Sequence, residues 1–488
     1  MNFQHSNNIW RITLATTVGM LVHLMGNSHC LADIRLPAVF SNHMVLQKGK
    51  TIPVWGWSDP QEWVTVSILD STGRVTRRQK ALTESTGVWS VQLNKLSAGG
   101  PYVLRCQGTN TKEFQDVWIG EVWIAVGQSN MEFPVKFVNN ADSEIASADI
   151  PQIRLFQVAP KISATPQTDC GGSWSVCTPD TVADFSAVAY FFGRRLHKEL
   201  HIPIGLIIAS WGGSDCEAWI RRQALHDKEE FAPILERSAV FQPNSPNQAA
   251  VLYNAMIYPL IPYPIAGVIW YQGEANTTRA AQYHQLFPTL ITDWREQWGQ
   301  RDFPFLFVQL APFRYGPRDP EACAELREAQ RLTLQLPNTG MAVTTDIGDI
   351  RDIHPRNKQD VGQRLALWAL AQAYGKKEIV HSGPLYAGYT VEEDSIRIRF
   401  SHIGSGLVAR NDESLTHFTI AASDKKFVEA KATIEGDTVV VRSTQVANPV
   451  AARFAWRDDA TPNLFNLEGL PASPFRTDRF PMVTAGER

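Results

Sequence analysis

Four short polar blocks in this sequence each follow an apolar run, and each carries a group able to do chemistry. The first is Gly127-Gln128-Ser129-Asn130-Met131, after Trp123-Ile124-Ala125-Val126. A glycine before a serine at a strand end permits a tight turn that exposes the hydroxyl. A helix starting near Ser129 would point free backbone N–H groups at an oxyanion formed there. Ser129 is equally suited to cap that helix, so the block alone leaves both roles open. It is not the G-x-S-x-G elbow of α/β-hydrolases, because Met131 stands where the second glycine belongs.

The second block is Ser210-Trp211-Gly212-Gly213-Ser214. Paired glycines let a backbone N–H approach a ligand closely, or simply make a turn. The third is Tyr271-Gln272-Gly273-Glu274-Ala275-Asn276. Gln272 has an amide that can donate to an oxyanion. Glu274 is an acid or base, or an anchor for its loop; the anchor is favoured, because a carboxylate there would oppose a developing negative charge. The fourth runs from Asp346 through Asp349 and Asp352 to His354-Pro355. Histidine is the usual general base near neutral pH, and a carboxylate fixes its tautomer. A metal is the competing reading. One histidine with no second histidine or cysteine nearby does not suit zinc, and the aspartate spacing matches no calcium loop. Together the blocks supply a nucleophile, oxyanion donors and a base with its orienter, the requirements of acyl transfer.

The elements that must position these groups are visible as periodicity. Apolar runs at 122–126, 204–209, 267–271, 303–309 and 341–345 read as strands. Segments 186–200, 282–298 and 360–374 have helical spacing, for example Val361, Leu365 and Trp368. Wholly apolar strands alternating with helices predict an α/β domain with a parallel sheet covered on both faces. Ligands then bind beyond the carboxyl ends of the strands, where all four blocks fall. On either side the pattern becomes short and alternating, as in Ile52-Pro53-Val54-Trp55-Gly56-Trp57 and Ser395-Ile396-Arg397-Ile398-Arg399-Phe400. The expected organisation is a β domain of sandwich type over 33–116, the catalytic α/β domain over 117–378 and a second β domain over 379–488.

Residues 1–32 read as a secretory signal. Arg11 precedes an apolar run from Ile12 to about Leu24, and Cys30-Leu31-Ala32 ends in a small residue. The expected mature protein is exported, and no later run is long enough for a membrane span. Of the 6 cysteines, Cys30 lies in that segment, which leaves five. Cys170 and Cys177 close a short loop and are candidates to pair in an oxidising compartment. The net charge of −3 gives no basic excess for nucleic acid.

These blocks resemble those of sialate O-acetylesterases within the SGNH hydrolase superfamily. The resemblance rests on Gly127-Gln128-Ser129-Asn130-Met131, Trp211-Gly212-Gly213, Trp270-Tyr271-Gln272-Gly273-Glu274 and Asp352-Ile353-His354-Pro355. It extends to Val45-Leu46-Gln47, Pro53-Val54-Trp55-Gly56 and Gly469-Leu470-Pro471-Ala472-Ser473-Pro474-Phe475-Arg476-Thr477-Asp478. It implies an SGNH-like catalytic domain, Ser129 as nucleophile and His354 as base. It implies an oxyanion hole from the Ser129 N–H, a glycine N–H at Gly212 or Gly213, and the Gln272 amide. The superfamily usually places two residues between aspartate and histidine, whereas only Ile353 separates Asp352 from His354 here, with Arg351 one place further back. Asp352 is the expected orienter, with Asp349 or a backbone carbonyl as alternatives. The implied substrate is an O-acetylated sugar, sialic acid or a plant polysaccharide such as acetylated xylan, and no metal or organic cofactor is required. A non-catalytic sugar-binding protein on the same scaffold is the rival from another class.

Overall fold

The computed structural model describes residues 33–487, so the targeting segment expected over 1–32 lies outside the described residues. At its centre six parallel strands run in the order Thr339–Ala342, Phe305–Val308, Gly267–Tyr271, Thr111–Gly127, Ile204–Ser210 and Ile150–Gln157. Trp174–Cys177 adds an antiparallel edge. Strand parity explains why the sequence is apolar throughout: alternate side chains meet helices on opposite faces. Trp123 packs edge-on against Phe192 of the helix Ala187–Leu200, at 4.9 Å between ring centroids. Trp270 pairs with Val126, which has the opposite parity, and meets Trp294 of the helix Ala280–Trp298 at 6.2 Å.

Register decides where the polar blocks lie. Gly127 pairs with Ser210 on one side and with Tyr271 on the other. The first three blocks therefore leave the sheet side by side, at one level of its carboxyl edge.

The boundary expected at residue 116 falls inside one strand of 17 residues, Thr111–Gly127. Its first half pairs antiparallel with Gly99–Gln107 in the N-terminal sheet, and its second half is parallel in the central sheet. The alternation changes there because burial changes, from a half-exposed start to an end buried on both faces. Asp116, at φ 56°, lies where the first pairing shifts register, between Tyr102↔Val117 and Leu104↔Phe114.

The C-terminal region forms two sheets of four strands and one of two, with a core of its own that includes Ile396, Ile398, Phe418, Val439 and Phe475. Arg327 fastens it to the catalytic domain. This side chain is fully buried, and its guanidinium donates to Leu310 O, Ala311 O, Arg457 O and Asp458 O at 2.8–2.9 Å. The five cysteines among the described residues are free, buried thiols, so Cys170 and Cys177 do not pair. The extended strand Trp174–Cys177 separates them, and Cys177 Sγ points to Ala148 O at 3.4 Å.

Replacing Arg327 by leucine leaves Leu310 O and Ala311 O without a donor among the described residues, while Asp458 O keeps Phe313 N and Arg457 O keeps Ala460 N. It is expected to lower stability by about 2–4 kcal/mol, since each unsatisfied group carries a desolvation cost. Denaturant unfolding measures this; an unchanged midpoint contradicts the role given to Arg327.

Candidate active site

The turn that presents Ser129 depends on glycine. Gly127 sits at φ 153°, and a Cβ there would collide with the Tyr271 carbonyl across the strand pair. The chain then passes through extended Gln128 into Ser129–Glu132, a single helical turn. The helix expected to start near Ser129 does start there and runs for a single turn, in which Met131 N and Glu132 N donate back to Gln128 O, so what it offers an anion is mainly the N–H of Ser129 itself. Gln128 Oε1 accepts from Gly273 N and Ala275 N at 3.3 and 3.4 Å, which ties the first block to the third.

His354 arrives from the opposite side of the rim. Its Nε2 lies 2.8 Å from Ser129 Oγ, a hydrogen bond between residues 225 apart in the chain. Phe133 stacks beside the ring at 6.3 Å and 25°. Burial pushes the His354 pKa down, the nearby Lys358 cation pushes it further the same way, and Asp352 acts against both. The imidazole is therefore held neutral and able to accept a proton.

Asp352 does not hydrogen-bond the ring. Its Oδ1 accepts from the His354 backbone N–H at 2.9 Å and stands 4.0 Å from His354 Nδ1. The carboxylate closes a local turn with the backbone two residues on, as aspartate commonly does. Asp349 is turned elsewhere, accepting from Arg351 N at 2.9 Å. Asp346 is spent on Arg364 at 2.7 and 2.8 Å. Among the described residues, no backbone carbonyl accepts from His354 Nδ1.

Gly212 and Gly213 belong to the loop beside Ser129. A Cβ on Gly212 would sit 3.6 Å from Ser129 Cβ, and one on Gly213 would meet open space. Gly213 is at φ 70°. Among the described residues, the N–H groups of Ser129, Gly212 and Gly213 have no acceptor. The loop is fixed from behind by Trp211 N on Gly127 O at 3.0 Å and by Asn247 Nδ2 on Gly213 O at 3.1 Å.

The expectation for Gln272 is corrected. This residue is 0% exposed, and its amide donates to Ser214 O at 3.1 Å and Asn276 Oδ1 at 2.6 Å. Its Oε1 accepts from Tyr283 OH at 3.1 Å. Both N–H groups are used, so none remains for an oxyanion; Gln272 braces the glycine loop from below.

Glu274 likewise sits beneath the site and not on its surface. Its Oε1 accepts from Asn130 Nδ2 at 2.6 Å. The same Nδ2 lies 2.9 Å from Ile353 O, the residue before His354. Lys358 Nζ donates to Asn130 Oδ1 at 2.5 Å and lies over the rings of Phe133 and Tyr271. Burial lowers the Lys358 pKa to about 7 and raises that of Glu274. Asn130 thus links the serine block, the glutamate block and the histidine loop. Asn130 and Lys358 had no assigned role in the sequence. The only signal was their place, one residue after Ser129 and four after His354.

The sequence model for carbohydrate esterases described as sialic acid-specific acetylesterases matches residues 119–371. Sialate O-acetylesterase from Homo sapiens is 32% identical, over 90% of this chain and 92% of its own length. The enzyme of the same name from Mus musculus is 34% identical, over 72% of this chain and 75% of its own. A solved structure described as a novel carbohydrate acetylesterase from Xanthomonas citri is 41% identical, with a TM-score of 0.85, covering 92% of this chain and all 100% of its own. The chain belongs to the sialic acid-specific acetylesterase family of carbohydrate esterases.

Proposed function

We propose that this esterase removes O-acetyl groups from sialic acid through an acyl-enzyme formed on Ser129. The observation that carries the reading is the 2.8 Å contact between Ser129 Oγ and His354 Nε2. Nε2 accepts the hydroxyl proton as Oγ attacks the acetyl carbonyl carbon. The tetrahedral oxyanion is held by the N–H of Ser129 and those of Gly212 and Gly213. Collapse breaks the bond to the sugar oxygen, which takes the proton from His354. Water, deprotonated by the same imidazole, then releases acetate. Asp352 contributes through space and through the backbone turn it caps, and Asn130 sets the height of the histidine loop.

For the sugar, a sialate carboxylate calls for a guanidinium at the rim. We assign Arg318, which is exposed, donates to Thr277 Oγ1 at 2.8 Å and has no carboxylate partner among the described residues. Thr277 in turn donates to Glu274 O at 3.0 Å, which places this arginine beside the third block. The Xanthomonas citri relative, named for carbohydrate in general, favours a second reading, a polysaccharide acetylesterase acting on substrates such as acetylated xylan. The signal-like residues 1–32 support export of the enzyme.

Acetate release measured side by side on O-acetylated sialic acid and acetylated xylan tests the substrate. The sialate should be preferred, and Arg318→Ala should raise its KM about ten-fold while p-nitrophenyl acetate hydrolysis is unchanged. Preference for xylan, with no effect of Arg318→Ala, establishes the second reading. Ser129→Ala should lower kcat on p-nitrophenyl acetate by roughly 10⁴–10⁶-fold, and a variant of near-full activity excludes Ser129 as nucleophile.

The His354 shift sets the pH dependence. A base with a lowered pKa stays neutral to lower pH, so the acid limb of kcat/KM should lie below 6.5, the ordinary histidine value. Asp352→Asn removes the one influence that raises that pKa, so the limb should move further down. The rate at the plateau should fall by no more than about ten-fold, because a half-exposed charge 4.0 Å away is worth roughly 1 kcal/mol. A limb that moves up, or a loss of several thousand-fold, would return Asp352 to a direct role on the ring.

A further inference from the structure

At the other end of the catalytic sheet, a groove of about 220 Å³ lies between the N-terminal β region and the segment that leads into the strand Gly267–Tyr271. Trp55, Trp57 and Val88 form one wall, Tyr258 and its neighbouring prolines the other, and Gln167 and Thr168 close it. Trp55 and Trp57 share a face because the strand Ile52–Trp57 alternates, with Ile52, Val54 and Gly56 buried on the reverse side. Tyr258 is 40% exposed.

Three features distinguish this groove from an ordinary apolar seam. Its lining contains no Asp, Glu, Lys, Arg or His. Three aromatic rings border it, and among the described residues the indole N–H of Trp55, the indole N–H of Trp57, the Tyr258 hydroxyl and the Thr168 hydroxyl have no hydrogen-bond partner. The Gln167 amide, by contrast, is fully used, donating to Ser163 Oγ and Thr165 O and accepting from Lys161. Aromatic faces with free polar tips suit a ligand whose ring presents C–H on its faces and hydroxyls around its edge. The volume is below the usual range of small-molecule sites, which suits a single ring. A carboxylated or phosphorylated sugar would find no counter-charge.

We propose that this groove is a second saccharide site, binding one neutral pyranose of the glycan that carries the ester. This rests on the reading of the enzyme as a sugar esterase and extends it from a lone sugar to a chain. The segment with Tyr258 precedes the amino end of the strand Gly267–Tyr271, whereas Ser129 follows Gly127 at the level of its carboxyl end, and five strand residues span on the order of 15 Å. The groove therefore takes a unit remote from the ester. Its occupation raises the local concentration of polymer-borne acetyl groups at Ser129 without touching the chemistry.

The test uses the full chain carrying Ser129→Ala, titrated with xylohexaose, cellohexaose and lactose while tryptophan fluorescence and calorimetric heat are followed. At least one neutral probe should bind. Trp57→Ala and Tyr258→Ala should each weaken binding about ten-fold, with Trp57→Phe restoring most of it. In the Ser129 enzyme, the same two alanine variants should raise KM for a polymeric acetylated glycan and leave p-nitrophenyl acetate hydrolysis unchanged. Absence of binding by all three probes, or binding indifferent to Trp57 and Tyr258, overturns the site. Failure of the Ser129 enzyme to hydrolyse p-nitrophenyl acetate would instead remove the esterase reading, and the titration separates the two. Circular dichroism melts confirm that the variants are folded; a misfolded Trp57→Ala leaves the decision to Tyr258→Ala, which lies on a separate segment.

Discussion

The close approach of Gly127 to the Tyr271 carbonyl is the constraint on which the site depends. Neighbouring strands in a sheet leave no room for a side chain that points into the hydrogen-bond ladder. At φ 153° a residue with a Cβ would strike its neighbour, so this position admits only glycine without moving the strand. That permission lets the chain leave the sheet abruptly and raise Ser129 above its edge. The same register aligns Gly127 with Ser210. The glycine loop then emerges beside the serine, with its N–H groups unspent. The positions of Ser129 and of the free N–H groups are thus set by backbone pairing, before any side-chain contact is counted.

The histidine needs a different device, because its loop enters from a strand three places away in the sheet. Asn130 supplies it. One amide contacts Glu274, Ile353 O and Lys358 at once, so three segments remote in sequence share a single buried hub. Burial of the Lys358 and Glu274 charges is costly, and each shifts toward its neutral form. Such pairs rarely add net stability, yet removing one partner strands the other. The hub is better understood as specifying one position for the His354 loop. In the proposed acyl transfer, rate would fall steeply with small displacements of the base, so fixing that loop is what the hub would contribute to function.

Much of this was legible in the sequence because it depends on local period. The helix predicted over 186–200 is Ala187–Leu200, and the periodicity read over 282–298 and 360–374 lies on Ala280–Trp298 and Lys358–Gln372. The strands Gly267–Tyr271 and Ile204–Ser210 follow the same logic, since burial on both faces forces continuous apolar runs. The four polar blocks stood out as interruptions of that pattern. What stayed hidden was the partner of each polar side chain. Gln272 has the chemistry of an oxyanion donor, but Ser214, Asn276 and Tyr283, two of them outside its own block, use up its amide. Asp352 has the right spacing to face the imidazole, but an aspartate two residues before a free N–H satisfies that N–H first. Both differences have one source: sequence gives donor and acceptor capacity, and only the fold shows where it is used.

The contrast between the two contacts of His354 bears on how the proposed dyad would work with a weak carboxylate. The Ser129 contact is a hydrogen bond at 2.8 Å, while the Asp352 contact is a separation of 4.0 Å near the surface, where solvent screens it. In a full triad the carboxylate both orients the ring and stabilises the imidazolium. Here orientation comes from elsewhere: Phe133 lies alongside the ring, and the Asn130 contact holds the residue before it. Stabilisation of the imidazolium is correspondingly slight, with Lys358 opposing it. A base that is easily deprotonated gives its proton up readily, which suits the second half of the proposed step, where a poor sugar alkoxide must be protonated as it departs. In the proposed mechanism the weak carboxylate would move catalytic demand from stabilising the cation to donating its proton.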